Sequence, residues 1–279
     1  MSDSVYVRAS SVAEFFDCPL RWATKHLDGQ TLPASSAARI GTAVHRSTGE
    51  YDASRLVDKD GQYLSIDDTA DVIVETIRNP DEEVDWGGLK LDKAIEIGIG
   101  CHVTYCNEIG ADADYTAVEA ALEELPIDVP LRDGGELQII LTGTLDRIRR
   151  ECSEVMVDEI PRIQERFGIA DIKTGARAMS QSPSRHKAQI GVYELLAYHS
   201  LAVDISLPGQ IIALQTSANY DAGTKDVENA QAALVGDPEN PGLLSFMAEM
   251  LASGSFYGNA SSFLCSEKYC PAWKHCRFR

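Results

Sequence analysis

Asp171, Ile172 and Lys173 form the triplet in this chain with the plainest chemical use. On a strand, residues two apart share a face, so a carboxylate and an ammonium are held side by side. Upstream, Asp146 closes the run Gly143-Thr144-Leu145-Asp146 on a neighbouring β-rich segment. Two carboxylates at one sheet edge can hold one or two hard divalent cations, which orient and activate water and offset charge developing on a phosphoryl group. Lys173 would then polarise that water or stabilise the phosphate. His45, from an earlier helix, adds a nitrogen ligand, which suits manganese alongside magnesium. Each residue alone has an ordinary reading, as a surface ion pair or a satisfied histidine; their combination is what carries weight.

A second group is made of sulfur. Cys265, Cys270 and Cys276 lie within twelve residues of a tail broken by Pro271, where three thiols can converge on one metal centre. Thiolates suit zinc or an iron–sulfur cluster by softness alone. Cys101, Cys106 and Cys152 have no partners at ligand spacing. Seven cysteines in a chain whose first eleven residues show neither a secretory leader nor an apolar span argue against a disulfide framework. A cytosolic setting with no membrane partner is the expectation.

These groups need a scaffold. With 279 residues and 44% hydrophobic content, the chain can bury one large core or two modest ones. Its net charge of −18 is lopsided: residues 50–136 hold 23 acidic against 6 basic residues, and the rest is almost neutral. The chain therefore divides into N-terminal helices over 1–49, an acidic helical region over 50–136, a core over 137–262 and a tail over 263–279. Ser11 and Glu14 fit a capping box for a first helix bent at Pro19, and a second helix spans about 36–50 with His45 on it. The acidic stretch reads as mainly helical, with breaks near Gly61, Asn79-Pro80 and Gly87-Gly88. Strands are expected at 137–143, 144–149, 154–157 and 167–172, a helix at 184–201, a strand at 210–215, and a helical end broken by Pro238 and Pro241. That order predicts an α/β core. No phosphate loop of the Gly-x-x-x-x-Gly-Lys type occurs, so ATP-driven unwinding is not encoded.

Gly41-Thr-Ala-Val-His45, Gly143-Thr-Leu-Asp146, Asp171-Ile-Lys173 and Gln189-Ile-Gly-Val-Tyr193 occur in that order. Together they closely resemble the RecB-like branch of the PD-(D/E)XK nucleases. The resemblance implies a restriction-endonuclease-like core, a mixed central sheet flanked by helices. It implies that His45, Asp146, Asp171 and the Ile172 carbonyl hold Mg2+ or Mn2+, that Lys173 is catalytic, and that Gln189 and Tyr193 support the site or touch the DNA strand. The 24 residues between Asp146 and Asp171 are a departure, read as a hairpin excursion. A branch that includes the AddB nuclease domain and CRISPR-associated RecB-like exonucleases holds a 4Fe-4S cluster with one N-terminal and three C-terminal cysteines. Cys18, in a Cys-Pro context like Cys270, would be the fourth ligand, the cluster would clasp the two ends together, and zinc is the less favoured occupant.

By the same resemblance the activity is exonucleolytic, on DNA ends or single strands, in recombination, repair or phage DNA processing. The alternatives are a CRISPR nuclease that trims spacer precursors and a catalytically silent DNA-binding or assembly subunit. The implied partners are DNA without sequence preference, an annealing or CRISPR adaptation protein, and a second copy of the chain. Arg39, Arg46, Arg147, Arg149, Arg150, Arg177, Arg185 and Lys187, with tail residues Lys268, Lys274, Arg277 and Arg279, could line a backbone groove. Tyr269, Trp273 and Phe278 could stack on unpaired bases.

Overall fold

A computed structural model describes residues 4–56, 63–217 and 219–279 of the chain. Strand β1 (Ser4–Arg8) leads into helices α1 (Ala9–Asp17) and α2 (Pro19–His26). Pro19 takes the first position of α2, where its missing N–H costs nothing, so the bend expected there is a break at Cys18. The capping box does not form; Ser11 sits inside α1 and donates to the Arg8 carbonyl. Strand β2 (Ala34–Ser35) precedes α3 (Ser36–Leu56), which outruns its expected end because Tyr51 and Asp52 continue the buried stripe of Ile40, Val44 and Thr48.

The break expected near Gly61 lies outside the described residues. Helix α4 (Ile66–Arg78) is capped reciprocally by Ser65 and Asp68. Strand β3 (Val84–Asp85) pairs with β2, and α5 (Leu91–Tyr105) ends in a π-helical turn at Cys106–Gly110. The acidic stretch then departs from the helical expectation with two strands, β4 (Tyr115–Ala121) and β5 (Leu125–Pro130). Leu125, Ile127 and Val129 alternate at the strand period, a signal masked by the charges around them.

Strands β6 (Glu136–Thr142), β7 (Thr144–Val157) and β8 (Ile160–Gly175) follow, and helix α6 (Lys187–Leu201) leads to β9 (Gly209–Gln215) and β10 (Ala222–Val227). Helices α7 (Ala230–Val235) and α8 (Leu243–Ser253) precede the tail. The long connection between Asp146 and Asp171 is a hairpin: β7 and β8 pair continuously and turn at Asp158 and Glu159, both left-handed. The separate strand expected at 154–157 is the end of β7.

The main sheet is five-stranded and mixed, in the order β10-β9-β8-β7-β4, with β8 and β9 parallel. A second sheet has the order β1-β6-β5, so β6 and β7, adjacent in sequence, part at Gly143 and belong to different sheets. Apolar residues cover both faces of the main sheet. Ile148, Ile169 and Ile211 join one core with α1, α6 and α8, while Ala170, Ile172 and Ile212 join another with α3, α4 and α5. Each isoleucine buried this way contributes about 1.5–3 kcal/mol relative to exposure. The result is the mixed α/β sheet flanked by helices that the motifs imply. Among the described residues no helix is long and apolar enough to cross a membrane.

Candidate active site and cysteine cleft

The ladder between β7 and β8 stops at the pair Arg147–Ala170, and beyond it the strands part. Asp146 occupies that fork. Its Oδ2 accepts the Ile172 N–H at 2.7 Å, taking the place of a ladder carbonyl. His45, from α3, reaches in from above, with Nε2 at 2.8 Å from the Ile172 carbonyl and Nδ1 at 3.4 Å from Asp146 Oδ2. Asp171 and Lys173 share a face as the strand period requires, with Nζ 2.7 Å from Asp171 Oδ2. The motif glycines make the fork possible. A side chain at Gly41 would meet Thr174 Oγ1 at 2.9 Å, and one at Gly143 would meet Tyr193 Cε1 at 3.0 Å.

Gln189 and Tyr193 are buried on one face of α6, where Gln189 Nε2 donates to Asp171 Oδ1 at 2.9 Å and lies 3.4 Å from the Tyr193 hydroxyl. The structure thus places both as supports of Asp171 and away from any surface a strand could reach. Asp171 Oδ2 is buried, and among the described residues the Lys173 ammonium is its one partner. A buried carboxylate oxygen held only by an ammonium, beside a second carboxylate and a backbone carbonyl, is the hard oxygen set that Mg2+ or Mn2+ takes. These residues fit such an ion.

Burial opposes charge on Asp146, but the His45 charge and hydrogen bond, with Lys173, hold its carboxyl below the usual range. Asp171 goes the other way: burial, with the Asp146 charge, raises it against the pull of Lys173. Burial also works against charged His45 and charged Lys173, and in both the neighbouring carboxylates win and raise the pKa. The pair of carboxylates is therefore split in acidity by environment, a pattern typical of sites that handle protons or cations.

Several residues here were not foreseen. Among the described residues, the ligand atoms of His45, Glu119 and Asp146 lie within 4.8 Å of one another, a His-Glu-Asp group in which Glu119 comes from β4; Asp171 stands outside it. No motif marks Glu119, and only its pairing register with β7 reveals it. His186 lies near Lys173; burial first, then Lys173 and Arg185, push its pKa down to about 4. Phe263, also unforeseen, lies 5.0 Å from the guanidinium of Arg177, one of the expected groove residues, which brings the tail to the loop after Lys173.

Two of the candidate DNA-contacting arginines are not at the surface. Arg147 is fully buried, bound to Asp52 Oδ2 at 2.6 Å and Glu119 Oε1 at 2.8 Å. Arg39 is buried against the Thr76 carbonyl and Asp81. Arg149 and Arg150 are engaged by Glu151, Asp114 and Glu165.

Cys18, Cys265, Cys270 and Cys276 line one small cleft where the break between α1 and α2 meets the tail. Asn259 N–H points at Cys18 Sγ over 3.4 Å, and Asn259 Nδ2 donates to the Asp17 carbonyl at 2.9 Å. Ser262 donates to Asp17 Oδ2 at 2.5 Å, and the Leu20 N–H to the Tyr257 carbonyl at 3.0 Å. The sequence ends are thus stitched together around the four sulfurs. Those sulfurs do not form a group within 4.8 Å among the described residues.

The fold and the fork have counterparts among known proteins. The sequence pattern of the PD-(D/E)XK nuclease superfamily matches residues 7–277, and the chain belongs to that superfamily. It is accordingly a nuclease. A solved structure from Eubacterium rectale, itself only provisionally described as an exonuclease, is similar over 98% of this chain and 88% of its own, with a TM-score of 0.51 and 14% identity. That likeness speaks to the fold alone. No curated protein matches the chain by sequence.

Proposed function

We propose that this chain is a metal-dependent DNA exonuclease that acts on ends or single strands, with a 4Fe-4S cluster as a structural clasp. The observation that carries the hydrolytic reading is the fork itself: Asp146, Asp171 and the Ile172 carbonyl converge beside Lys173 and His45 where β7 and β8 separate. A divalent ion bound there would supply charge stabilisation to the phosphoryl oxygens and acidity to the attacking water. The chain does the rest. Gln189 fixes Asp171, the Ile172 N–H fixes Asp146, and the Lys173 ammonium stands where it can meet the negative charge that builds as water adds to phosphorus and the P–O bond to the leaving sugar oxygen breaks.

The preference for unpaired strands is supported by the exposed Arg177–Phe263 stack, two to four residues past Gly175 and Lys173, a flat cation–aromatic platform of the kind unpaired bases use. Arg185 and Lys187, which enter no ion pair among the described residues, extend positive charge along the same rim. Support for the clasp comes from four cysteines on one cleft and an N–H directed at Cys18. Cys18, Cys265, Cys270 and Cys276 would hold the cluster, and Mg2+ or Mn2+ would sit in the fork.

The test is anaerobic purification, an absorption spectrum near 400 nm, and cleavage of end-labelled single- and double-stranded DNA with Mn2+. We expect cluster absorption, and stepwise shortening of single strands that Lys173→Ala abolishes while leaving the spectrum intact. Cutting that survives in Lys173→Ala would mean that the reaction happens elsewhere.

A further inference from the structure

We infer that Glu119 is a direct protein ligand of the catalytic cation, contributed by the edge strand β4 and outside the sequence motifs that define the site. The inference rests on the fork being the metal centre as proposed above.

Three independent features point the same way. First, Glu119 has a φ of +46°, the one left-handed non-glycine residue inside a strand among the described residues. The others in that region stand at turns or helix ends, where such a conformation is common. Side chains rarely adopt it because the Cβ is crowded, and it persists where the surroundings and the function require it. Second, the register places Val118 opposite Arg147 and Ala120 opposite Leu145, so Glu119 faces Asp146 across the sheet, and its ligand atom comes within 4.8 Å of those of both Asp146 and His45. Third, α3 leaves space for it. Gly49 lies one helical turn after His45, and a Cβ there would stand 3.0 Å from Glu119 Cγ. One helix thus presents a ligand and then a gap cut to the shape of the next.

The carboxyl is also aimed. Arg147 Nη1 holds Glu119 Oε1 at 2.8 Å, while Asp52 and Thr48 hold Arg147 from behind. Oε2 has no hydrogen-bond partner among the described residues, which leaves an oxygen available to a cation. The side chain is 40% exposed, so an ion can reach it from a groove lined by Arg46, Glu50 and Glu75. A carboxylate that only neutralised Arg147 would need neither the strained backbone nor the proximity to His45.

The test is Mn2+ titration by calorimetry on the full-length chain, wild type against Glu119→Gln, Glu50→Gln and Asp146→Asn, with melting temperatures recorded without added metal. Glu50 shares the groove with Glu119 and controls for long-range charge alone. Groups that only support a ligand typically cost about 10–100-fold in metal affinity when removed, so a direct ligand must exceed that range. We expect Glu119→Gln to weaken Mn2+ by well over a hundredfold, with Glu50→Gln within threefold of wild type. Glu119→Gln binding within a hundredfold of wild type, or no more weakened than Glu50→Gln, would overturn the inference. Asp146→Asn keeps the two claims apart: if it binds Mn2+ like wild type, the fork itself is not the metal centre, whatever Glu119 does.

Discussion

The fork and the cysteine cleft are both places where distant parts of the chain meet, yet they are held by opposite means. Around Asp146 and Asp171 every charged group has a protein partner of opposite sign or a backbone donor, supplied by strands and helices that pack for their own reasons. The shape of the fork therefore needs no ion. Around Cys18 the tail has one short helical turn, three of its cysteines lie between turns, and direct contacts to the N-terminal helices are a handful of hydrogen bonds. Little apolar burial ties it down. The same kind of atom, a metal, is thus expected to do chemistry in one place and architecture in the other.

The sharpest way to break that contrast is to attack the fork without touching its shape. Lys173→Ala should lower DNA cleavage by about 10²–10⁴-fold, the range of a positioned catalytic group, while its fold, read by circular dichroism, stays intact. EDTA should do the same reversibly. A large drop in melting temperature on chelation would show that the fork needs its ion for structure, and the contrast would fail.

Arg147→Met probes the supports behind the fork. It leaves Asp52 buried without its cation, a loss on the order of 3–5 kcal/mol, measurable by denaturant unfolding. A change below about 1 kcal/mol would mean that the buried network is not what positions β7 against α3. Cys270→Ser addresses the cleft in turn. Absorption near 400 nm should vanish and stability fall by about 2–5 kcal/mol, comparable to removing a cross-link that closes a long loop. Mn2+ affinity at the fork should stay near wild type, and its collapse would show the two regions to be one.

Glu194 offers the smallest effect and a reference for what burial alone does to a carboxylate. It is 8% exposed, among the described residues accepts only the Gln231 N–H at 2.8 Å, and burial raises its pKa to about 7. Because the folded value lies above the unfolded one, the folded state binds more protons between about pH 4.5 and 7, so stability falls as pH rises through that window and levels above it. The loss is on the order of 3 kcal/mol. Glu194→Gln should remove that slope, and parallel pH profiles for the two proteins would contradict it. Asp146, equally buried but faced by His45, titrates in the opposite direction, and so burial without a cation is what separates the two.

Much of the site was legible because its residues recur at fixed spacing on regular elements. The Asp171–Lys173 pair follows from the strand period, and Gln189 and Tyr193 from the helical one. Glu119 was not legible, since nothing local distinguishes it from 22 other acidic residues in the 50–136 segment. Only the register of β4 against β7 sets it apart. β10 was missed for a related reason: Ala222–Val227 has no apolar alternation and is a strand because β9 offers it an edge. Arg147 and Arg39 were misplaced because composition cannot say whether a cation is solvated or paired with Asp52 or Asp81 inside the protein. The position of Cys18 beside the tail lay outside any local pattern, and only the resemblance to a cluster-bearing nuclease branch suggested it.

The most direct test is crystallographic: soak crystals in Mn2+ and locate the metal by its anomalous scattering. The account predicts a peak in the fork, about 2.0–2.3 Å from oxygens of Asp146 and Asp171, with His45 turned toward it. Manganese bound elsewhere, with Asp146 and Asp171 still holding only Ile172, Gln189 and Lys173, would contradict it.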